Sequence, residues 1–252
     1  DKGLTNINFY LEANEGEFII RWPHTDAHHV VNRTHEAKAI ELIKDLDVDM
    51  VYFDEKTGIK VSRYLNDLQT FSEYTGKDKI KRTALLMKSL HDKNVRIGED
   101  FDPISRYKAY EKRVLNPMVT RSEAQGIIEG IAHLVRPKTL CHNDWVEGNI
   151  CFTPTKDYLI DYEYAGDNDP FFDITSFLTE NHLTDQERWK FVRAYFKRKP
   201  NKKEIELLER YARFHNLLWC TWGMMMFESR HEAIYKNIAY DKWNALHHKL
   251  LP

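Results

Sequence analysis

Four polar residues in the middle of the chain have side-chain types and a spacing that could support catalysis: His142, Asp144, Asn149 and Asp161. The first three follow the order H-x-D-x-x-x-x-N, and Asp161 comes after a polar turn and an apolar, strand-like run. In kinase-type phosphoryl transfer, an aspartate accepts a hydroxyl proton, an asparagine five residues later holds Mg²⁺, and a second aspartate reaches the same space across a hairpin. The spacing therefore predicts a phosphoryl-transfer site in which Asp144 is the base and Asn149 and Asp161 bind Mg²⁺.

The joint pattern carries the prediction, because a single H-x-D sequence or a single asparagine is common in surface loops. A pattern that also ends in Leu-Ile-Asp after a strand-like run arises much less often by chance. His142 is interpreted as a brace of the loop through hydrogen bonds, since Asp144 already fills the role of the base.

The composition indicates a globular protein without a general attraction to polyanions. The 252 residues are 42% hydrophobic and 30% charged, with a formal net charge of -2, which argues against nucleic-acid and membrane partners. No apolar run reaches the length of a membrane span, and the N-terminus lacks a signal-peptide core. Three cysteines give neither a metal-ligand spacing nor a complete disulfide set. We expect a cytoplasmic monomer or homodimer with a small-molecule substrate.

The distribution of β-rich and helical runs predicts an α+β fold with two lobes. Residues 7–22 and 50–65 each have the pattern of a β-hairpin, with one amphipathic helix between them. The predicted nucleotide-binding lobe is residues 1–66, small and β-rich with that one helix, and the predicted catalytic and substrate-binding lobe is residues 67–252, larger and mainly helical. Helices are expected in the second lobe at residues 80–92, 103–115, 122–135 and 189–196, followed by a final helical stretch.

The N-terminal residues contain a candidate set for nucleotide binding. Arg21 ends a strand and Glu36 lies in the first turn of the following helix, the order in which a kinase uses an ion pair to place a cation on the α- and β-phosphates. Two simpler interpretations stay open: an exposed strand arginine, and a carboxylate that interacts with the helix dipole. The backbone of Arg63, Tyr64 and Leu65 lies where a nucleotide-binding kinase crosses to its larger lobe, and is predicted to bind adenine.

A second set of residues has the chemistry to bind a cationic acceptor. Trp219 and Trp222 are three residues apart, so they share a face of a helix. A quaternary ammonium has no N–H group, so it is recognised by aromatic faces and nearby carboxylates, and Tyr164 and Glu180 complete such a set. Two indoles at this spacing also fit ordinary core packing, and both interpretations stay open.

Over nearly its whole length the chain resembles the choline/ethanolamine kinase family, most closely its bacterial LicA-type branch. That family belongs to a wider protein-kinase-like group that includes the aminoglycoside phosphotransferases. The H-x-D-x-x-x-x-N and I-D-x-E motifs are typical of the wider group, whereas E-Y-A-G and W-x-x-W point to the choline/ethanolamine branch. The matching segments are GLTNINF, FIIRWP, NRTHEAK, CHNDWVEGNI, LIDYEYAGDNDPFFDI and FHNLLWCTWG.

The resemblance implies a bilobal protein-kinase-like fold and the ATP- and Mg²⁺-dependent phosphorylation of choline to phosphocholine, with ADP as the other product. It implies that Asp144 is the base and that Asn149 and Asp161 bind metal. Glu163, the acidic residue just beyond the second ligand, is expected as a further metal ligand. Glu180 matches a carboxylate that faces the choline nitrogen. The remaining matches are the aromatic cage of Tyr164, Trp219 and Trp222, and the nucleotide-site residues Arg21 and Glu36.

The chain departs from the family pattern in two places. Only Gly3 precedes the first strand, where the family often has more glycine. Near the C-terminus, Tyr235 is expected as a further pocket aromatic, but Ile238 stands where a tyrosine is expected. The resemblance therefore predicts a cage that is smaller or more open on that side.

Two alternative functions are considered. A kinase of the same fold could act on ethanolamine, thiamine or an aminoglycoside, although a polyamine antibiotic requires more carboxylates around the acceptor than this sequence offers. A catalytically inactive module that only binds nucleotide would be expected to have lost the base or a metal ligand, whereas Asp144, Asn149 and Asp161 are all present.

Overall fold

A computed structural model describes residues 6–23 and 32–252 of the chain. Gly3, the one glycine before the first predicted strand, lies outside these residues. The chain divides into two compact units: unit 1 comprises the described parts of Asp1–Asp100 together with Thr139–Asp167, and unit 2 comprises Phe101–Lys138 and Asn168–Pro252. The division into lobes at residues 66 and 67 stays a prediction.

Unit 1 contains an antiparallel sheet in the order β1-β2-β4-β3. The hairpin between its first two strands turns at Gly16, whose φ of 127° is accessible mainly to glycine. Asn32 caps the helix that follows, because its side chain accepts hydrogen bonds from the backbone of Thr34 and His35. The elements are β1 (Asn6–Ala13), β2 (Gly16–Pro23), α1 (Arg33–Leu42), β3 (Met50–Phe53), β4 (Lys60–Arg63), β5 (Gln69–Thr70) and α2 (Lys79–Asp92).

The remaining strands surround the segment with the predicted catalytic residues. β6 (Thr139–Cys141) pairs with β9 (Gly166–Asn168), and β7 (Ile150–Phe152) pairs antiparallel with β8 (Asp157–Leu159), with β5 on the other side of β7. The β7–β8 hairpin is the one predicted from the polar turn. It returns the chain so that the Ile160 N–H donates to the Asn149 carbonyl oxygen at 2.9 Å.

Unit 2 is helical and is organised around one long helix, α7, that packs against α3, α4, α5 and α8. A capping box starts α7, in which the Asn201 side chain accepts from the Glu204 N–H and the Glu204 side chain accepts from the Asn201 N–H. The helices are α3 (Pro103–Glu111), α4 (Arg121–Ala132), α5 (Pro170–Glu180), α6 (Asp185–Phe196), α7 (Lys202–Arg230) and α8 (Ala233–Ala245).

The boundary predicted for α3 at Leu115 was wrong, because the helix ends at Glu111. Residues before a proline disfavour the helical conformation, and Pro117 follows closely. The Glu228 carboxylate accepts hydrogen bonds from the N–H groups of Leu115, at 2.7 Å, and Asn116, at 2.8 Å, which fixes this segment in a non-helical path.

The fold class predicted from the sequence is confirmed: an α+β chain with an N-terminal antiparallel sheet and a mainly helical C-terminal part. Within the described residues, no helix combines the length and the apolar character that a bilayer crossing would require.

The helices α7 and α8 approach each other closely at Gly223. A Cβ at this position would lie 2.9 Å from the Tyr235 carbonyl oxygen and 3.0 Å from the Ala239 nitrogen. Gly223→Ala should therefore lower the free energy of unfolding by about 1–3 kcal/mol, despite the better helix propensity of alanine. Urea unfolding followed by circular dichroism measures the change.

The matched control is Gly126→Ala in α4, where an added Cβ would meet nothing within 4 Å. Here only helix propensity changes, so the free energy of unfolding should rise by about 0.5–1 kcal/mol. Equal effects of the two substitutions would contradict the close approach of α7 and α8.

Candidate functional site

The loop after β6 is held by hydrogen bonds from its first two residues. His142 Nδ1 accepts from the Asp144 N–H at 3.3 Å, so Nε2 carries the proton that bonds the Ile160 carbonyl oxygen at 2.9 Å. Asn143 is left-handed, with φ 67°, and its amide donates to the Tyr164 carbonyl oxygen at 2.9 Å. These bonds tie the Asp144 loop to the segment that follows β8.

Asp144 and Asn149 are in direct contact. The Asn149 Nδ2 donates to Asp144 Oδ2 at 3.1 Å and to the Asp144 carbonyl oxygen at 3.0 Å. The amide nitrogen is thereby directed to Asp144, and the amide oxygen lies on the other side of the group. Asn149 is buried, whereas Asp144 is only partly so, which leaves this carboxylate accessible.

Asp161 lies beside Asn149 across the β7–β8 hairpin, in a left-handed conformation with φ 66°. Aspartate tolerates this region better than most residues, and such backbone strain is frequent at functional sites. The Asp161 carboxylate accepts from Arg21 Nη1 at 2.6 Å and from Asn6 Nδ2 at 3.2 Å. Asn6 also donates to Glu163 at 3.4 Å, so it joins the two acids.

Arg21 and Glu36 form the predicted ion pair, with Nη2 of Arg21 2.5 Å from Oε1 of Glu36. Glu36 is fully buried and binds a second cation, since Arg33 Nη1 donates to its Oε2 at 2.6 Å. Burial alone would lower the pKa of Arg21, but the nearby Asp161 and Glu36 carboxylates outweigh burial and raise it. Arg21 is therefore a permanent cation, and the interpretation of an exposed strand arginine is wrong.

Several donors in this cluster have no acceptor within the part of the chain that the structure describes: Nε of Arg21, and Nε and Nη2 of Arg33. Buried guanidinium groups normally have their N–H groups bonded, and their planar geometry suits phosphate oxygens. Two buried arginines with open donors, one of them bonded to Asp161, form a site that can accept an anion.

The donor set also fits Mg²⁺. Magnesium favours one or two carboxylate or amide oxygens and takes its remaining ligands from phosphate and water. Asp161 supplies a carboxylate with two of about four lone-pair positions used by Arg21 and Asn6, and Asn149 supplies an amide oxygen. Glu163 is directed to Asn6 and to Arg33, whose Nη1 lies 3.7 Å from its Oε2.

The predicted adenine-binding segment has only part of its backbone available. The Arg63 N–H donates to the Asp49 carbonyl oxygen and the Tyr64 N–H to the Glu17 carbonyl oxygen, both at 2.9 Å. Among the described residues, the Leu65 N–H has no backbone acceptor. An adenine hydrogen bond from this segment would therefore use Leu65.

In unit 2, Trp219, Trp222 and Tyr235 form a continuous aromatic cluster. The rings of Trp219 and Trp222 have centroids 5.7 Å apart at 82°, and those of Trp222 and Tyr235 are 5.6 Å apart at 78°. Tyr235 is anchored because its hydroxyl accepts from Arg230 Nη1 at 2.8 Å. Because neighbouring rings in this cluster are nearly perpendicular, we call it the aromatic corner (Trp219, Trp222 and Tyr235).

Glu180 is linked to the aromatic corner through His215. The His215 Nε2 accepts from the Trp219 indole N–H at 2.9 Å, so Nδ1 carries the proton and donates to Thr179 Oγ1 at 2.9 Å. Burial, and then the charge of Lys242, hold the pKa of His215 well below its usual range. The neutral His215 therefore makes no ion pair with Glu180, although Nδ1 lies 3.4 Å from the carboxylate.

The structure brings the predicted residues together in two groups, one in each unit. Unit 1 joins Asp144 with Asn149, and Arg21 with Glu36 and Asp161. Tyr164 is buried in unit 1, in the short 3-10 helix Tyr162–Tyr164, whereas the other proposed cage residues belong to unit 2. Its place in a cage stays a prediction.

Sequence reasoning missed four residues that hold these groups: Asn6, Arg33, Asn143 and Lys242. Two of them had a usable signal. Arg33 precedes Glu36 by three residues, the spacing of a helical ion pair, and Lys242 follows Tyr235 by seven, which places both on one helix face. Asn6 and Asn143 act across long stretches of chain, and no local spacing reveals such partners.

Glu36 balances two buried cations, so removing its charge should destabilise unit 1. Glu36→Gln should lower the free energy of unfolding by about 3–5 kcal/mol, because Arg21 and Arg33 would lose a fully buried partner. Urea unfolding gives the change. The control is Glu41→Gln on the same helix, where the exposed Glu41–Lys44 pair should contribute less than about 1 kcal/mol. Similar losses for both variants would refute the buried network.

The lowered pKa of His215 predicts how stability depends on pH. Below about pH 6.5 the unfolded chain binds a proton at His215 that the native state does not. The free energy of unfolding should therefore fall on acidification by up to about 1.4 kcal/mol per pH unit from this group. His215→Gln should flatten the slope between pH 7 and 5, whereas substitution of the exposed His182 by Gln should not. Parallel slopes for wild type and His215→Gln would show that His215 titrates normally.

Comparison with known proteins gives consistent results. The sequence profile of the choline/ethanolamine kinase family matches residues 55–247. Protein LicA of Haemophilus influenzae is 26% identical over 241 residues, covering 87% of this chain and 70% of that protein. The crystal structure of choline kinase LicA from Streptococcus pneumoniae is similar, with a TM-score of 0.82 at 24% identity, covering 97% of this chain and 91% of that one.

A structure of LicA in complex with AMP is also similar, with a TM-score of 0.80 at 24% identity, covering 97% of this chain and 89% of that one. At such identities these structures support the fold. The family profile matches well over half of the chain, and it agrees with the aspartate–asparagine–aspartate arrangement in unit 1. The chain therefore belongs to the choline/ethanolamine kinase family of alcohol phosphotransferases.

Proposed function

We propose that this chain transfers the γ-phosphate of ATP to the hydroxyl of choline, with phosphocholine and ADP as products. The observation that carries choline as the acceptor is the aromatic corner. Its three rings meet at right angles, and Glu180 is connected to it through His215. A quaternary ammonium is attracted by aromatic faces, with about 0.5–2 kcal/mol per contact.

Unit 1 is proposed to bind the nucleotide. Arg21, fixed by Glu36 and by the Gly58 carbonyl oxygen at 3.1 Å, would contact the phosphates, and the open donors of Arg33 would supplement it. The Leu65 N–H is the proposed adenine contact. The AMP bound in a similar LicA structure supports a nucleotide site in this fold.

Asn149 and Asp161 are the residues that we propose to hold Mg²⁺. When bound, the metal would neutralise charge that develops between the β- and γ-phosphates. Asn6 bridges Asp161 and Glu163, so we assign Glu163 to keeping Asp161 in place. This replaces the direct metal contact that the resemblance implied for Glu163.

Asp144 is proposed to orient the choline hydroxyl and accept its proton. In a loose transition state the proton leaves late, so a carboxylate of ordinary basicity is adequate. The hydrogen bond from Asn149 fixes one carboxylate oxygen, and the backbone bond to His142 fixes the residue itself. The reaction consumes ATP, and the three cysteines are free thiols. The same proposal therefore places the chain in the cytoplasm.

An acceptor screen with Mg-ATP tests the proposal, with ADP release as the readout. Choline should give the highest kcat/KM among choline, ethanolamine, thiamine, methylthioribose and an aminoglycoside. Asp144→Asn should lower kcat for choline by about 10²–10⁴-fold, because it removes the proton acceptor, while ATP binding measured by calorimetry stays near that of wild type.

The matched control is Glu147→Gln, a substitution of an exposed acid in the same loop, which should keep turnover near that of wild type. Preference for another acceptor would overturn choline as the substrate. Turnover that survives in Asp144→Asn would overturn the assignment of the base without affecting the choice of acceptor.

A further inference from the structure

Lys242 is a buried cation on α8 that has no assigned role in the proposed phosphoryl transfer. It is 6% exposed, its Nζ donates to the Thr179 carbonyl oxygen at 2.9 Å, and Nζ also lies 2.7 Å from Oε1 of Glu180. Tyr235, Ala239 and Lys242 follow the i, i+4, i+7 spacing of one helix face. The same face of α8 thus carries the aromatic ring of Tyr235 and the cation of Lys242.

The charge of Lys242 cancels that of Glu180. Within the described part of the chain, the titratable groups in contact with this cluster from α5, α7 and α8 include Glu180, the neutral His215, Arg230 and Lys242. Arg230 adds a further positive charge at the Tyr235 hydroxyl. A cation that enters the aromatic corner therefore meets no net negative charge, and its attraction must come from the ring faces.

Lys242 also limits the hydrogen bonds that Glu180 can accept from a ligand. Oε1 of Glu180 is buried and lies close to Lys242 Nζ without a well-aligned hydrogen bond. The two groups therefore interact mainly through their opposite charges. The other oxygen, Oε2, is the one left for a ligand. A primary ammonium must replace three hydrogen bonds to water when it is buried, whereas a quaternary ammonium has none to replace.

We propose that Lys242 sets the acceptor specificity, by neutralising and occupying Glu180 so that the site favours a quaternary over a primary ammonium. The inference rests on the function proposed above, because it takes the aromatic corner as the binding place of the acceptor nitrogen. It assigns to Lys242 a role through Glu180, without contact with the reacting atoms.

The test is the ratio of kcat/KM for choline to that for ethanolamine, with the full-length chain and Mg-ATP. Lys242→Met keeps an unbranched side chain of similar length and frees Oε1 of Glu180 as well as Oε2. The ratio should fall about tenfold, the change expected from one charge-assisted hydrogen bond gained by ethanolamine. The effect should lie in KM, with kcat little changed. Lys242→Arg retains the charge and should retain the wild-type ratio.

A second pair of variants covers the case in which Lys242→Met does not fold. Glu180→Gln leaves Lys242 uncompensated and should raise the KM for choline. Glu180→Gln with Lys242→Met restores neutrality and should return that KM toward the wild-type value. Recovery of the choline KM in the double variant would show that the charges of the two residues are coupled.

The outcomes separate the two proposals. Wild type that phosphorylates neither choline nor ethanolamine would overturn the proposed function. Wild type that prefers choline, with an unchanged ratio in Lys242→Met, or with no recovery in the double variant, would overturn the role of Lys242 alone. A loss of thermal stability without a change in the ratio would assign Lys242 to packing.

Discussion

The arrangement of unit 1 depends on one buried charge, the carboxylate of Glu36. It holds Arg21 from β2 and Arg33 from its own helix, and Arg21 continues the network to Asp161 beyond β8. A carboxylate without solvent contact is stable only when its lone pairs are filled by cations. The sheet, α1 and the proposed metal-binding segment are thus fixed by the same electrostatic requirement, and the guanidinium that faces the proposed phosphates is positioned before any ligand binds.

Unit 2 also contains a carboxylate paired with a buried cation, but there the carboxylate is less completely hydrogen-bonded. Glu180 is also a carboxylate set against a buried cation, but one of its oxygens has no aligned hydrogen bond, and the side chain is 16% exposed. In unit 1 both oxygens of Glu36 accept a hydrogen bond from an arginine, and this carboxylate fixes structure. The pair in unit 2 is less completely hydrogen-bonded, and the neutral His215, which is hydrogen-bonded to Trp219 and close to Glu180, adds no charge beside it.

The sequence was most informative where chemistry and local periodicity coincide. The hairpin β1–β2, the helix capped by Asn32 and the β7–β8 hairpin follow from turn residues and alternating patterns, and Arg21 with Glu36 follows from strand-then-helix order. The end of α3 was set by Glu228, more than 110 residues away, and Asn143 bonds a carbonyl 21 residues later. Contacts of this kind are determined by the assembled fold, so they leave no local pattern. Lys242 is an intermediate case. Its place on one helix face with Tyr235 could be predicted from the sequence, whereas its pairing with Glu180 could not.

The glycine at position 223 has a consequence for related sequences. Because α8 approaches α7 there to the limit of backbone contact, this residue fixes the separation between the helix that carries Trp222 and the helix that carries Tyr235. A relative with a larger side chain at this position must move α8 outward and widen the gap between these two rings. Under the proposal that the aromatic corner binds the acceptor nitrogen, the size of this single side chain should therefore vary together with the bulk of the ammonium group that each relative accepts.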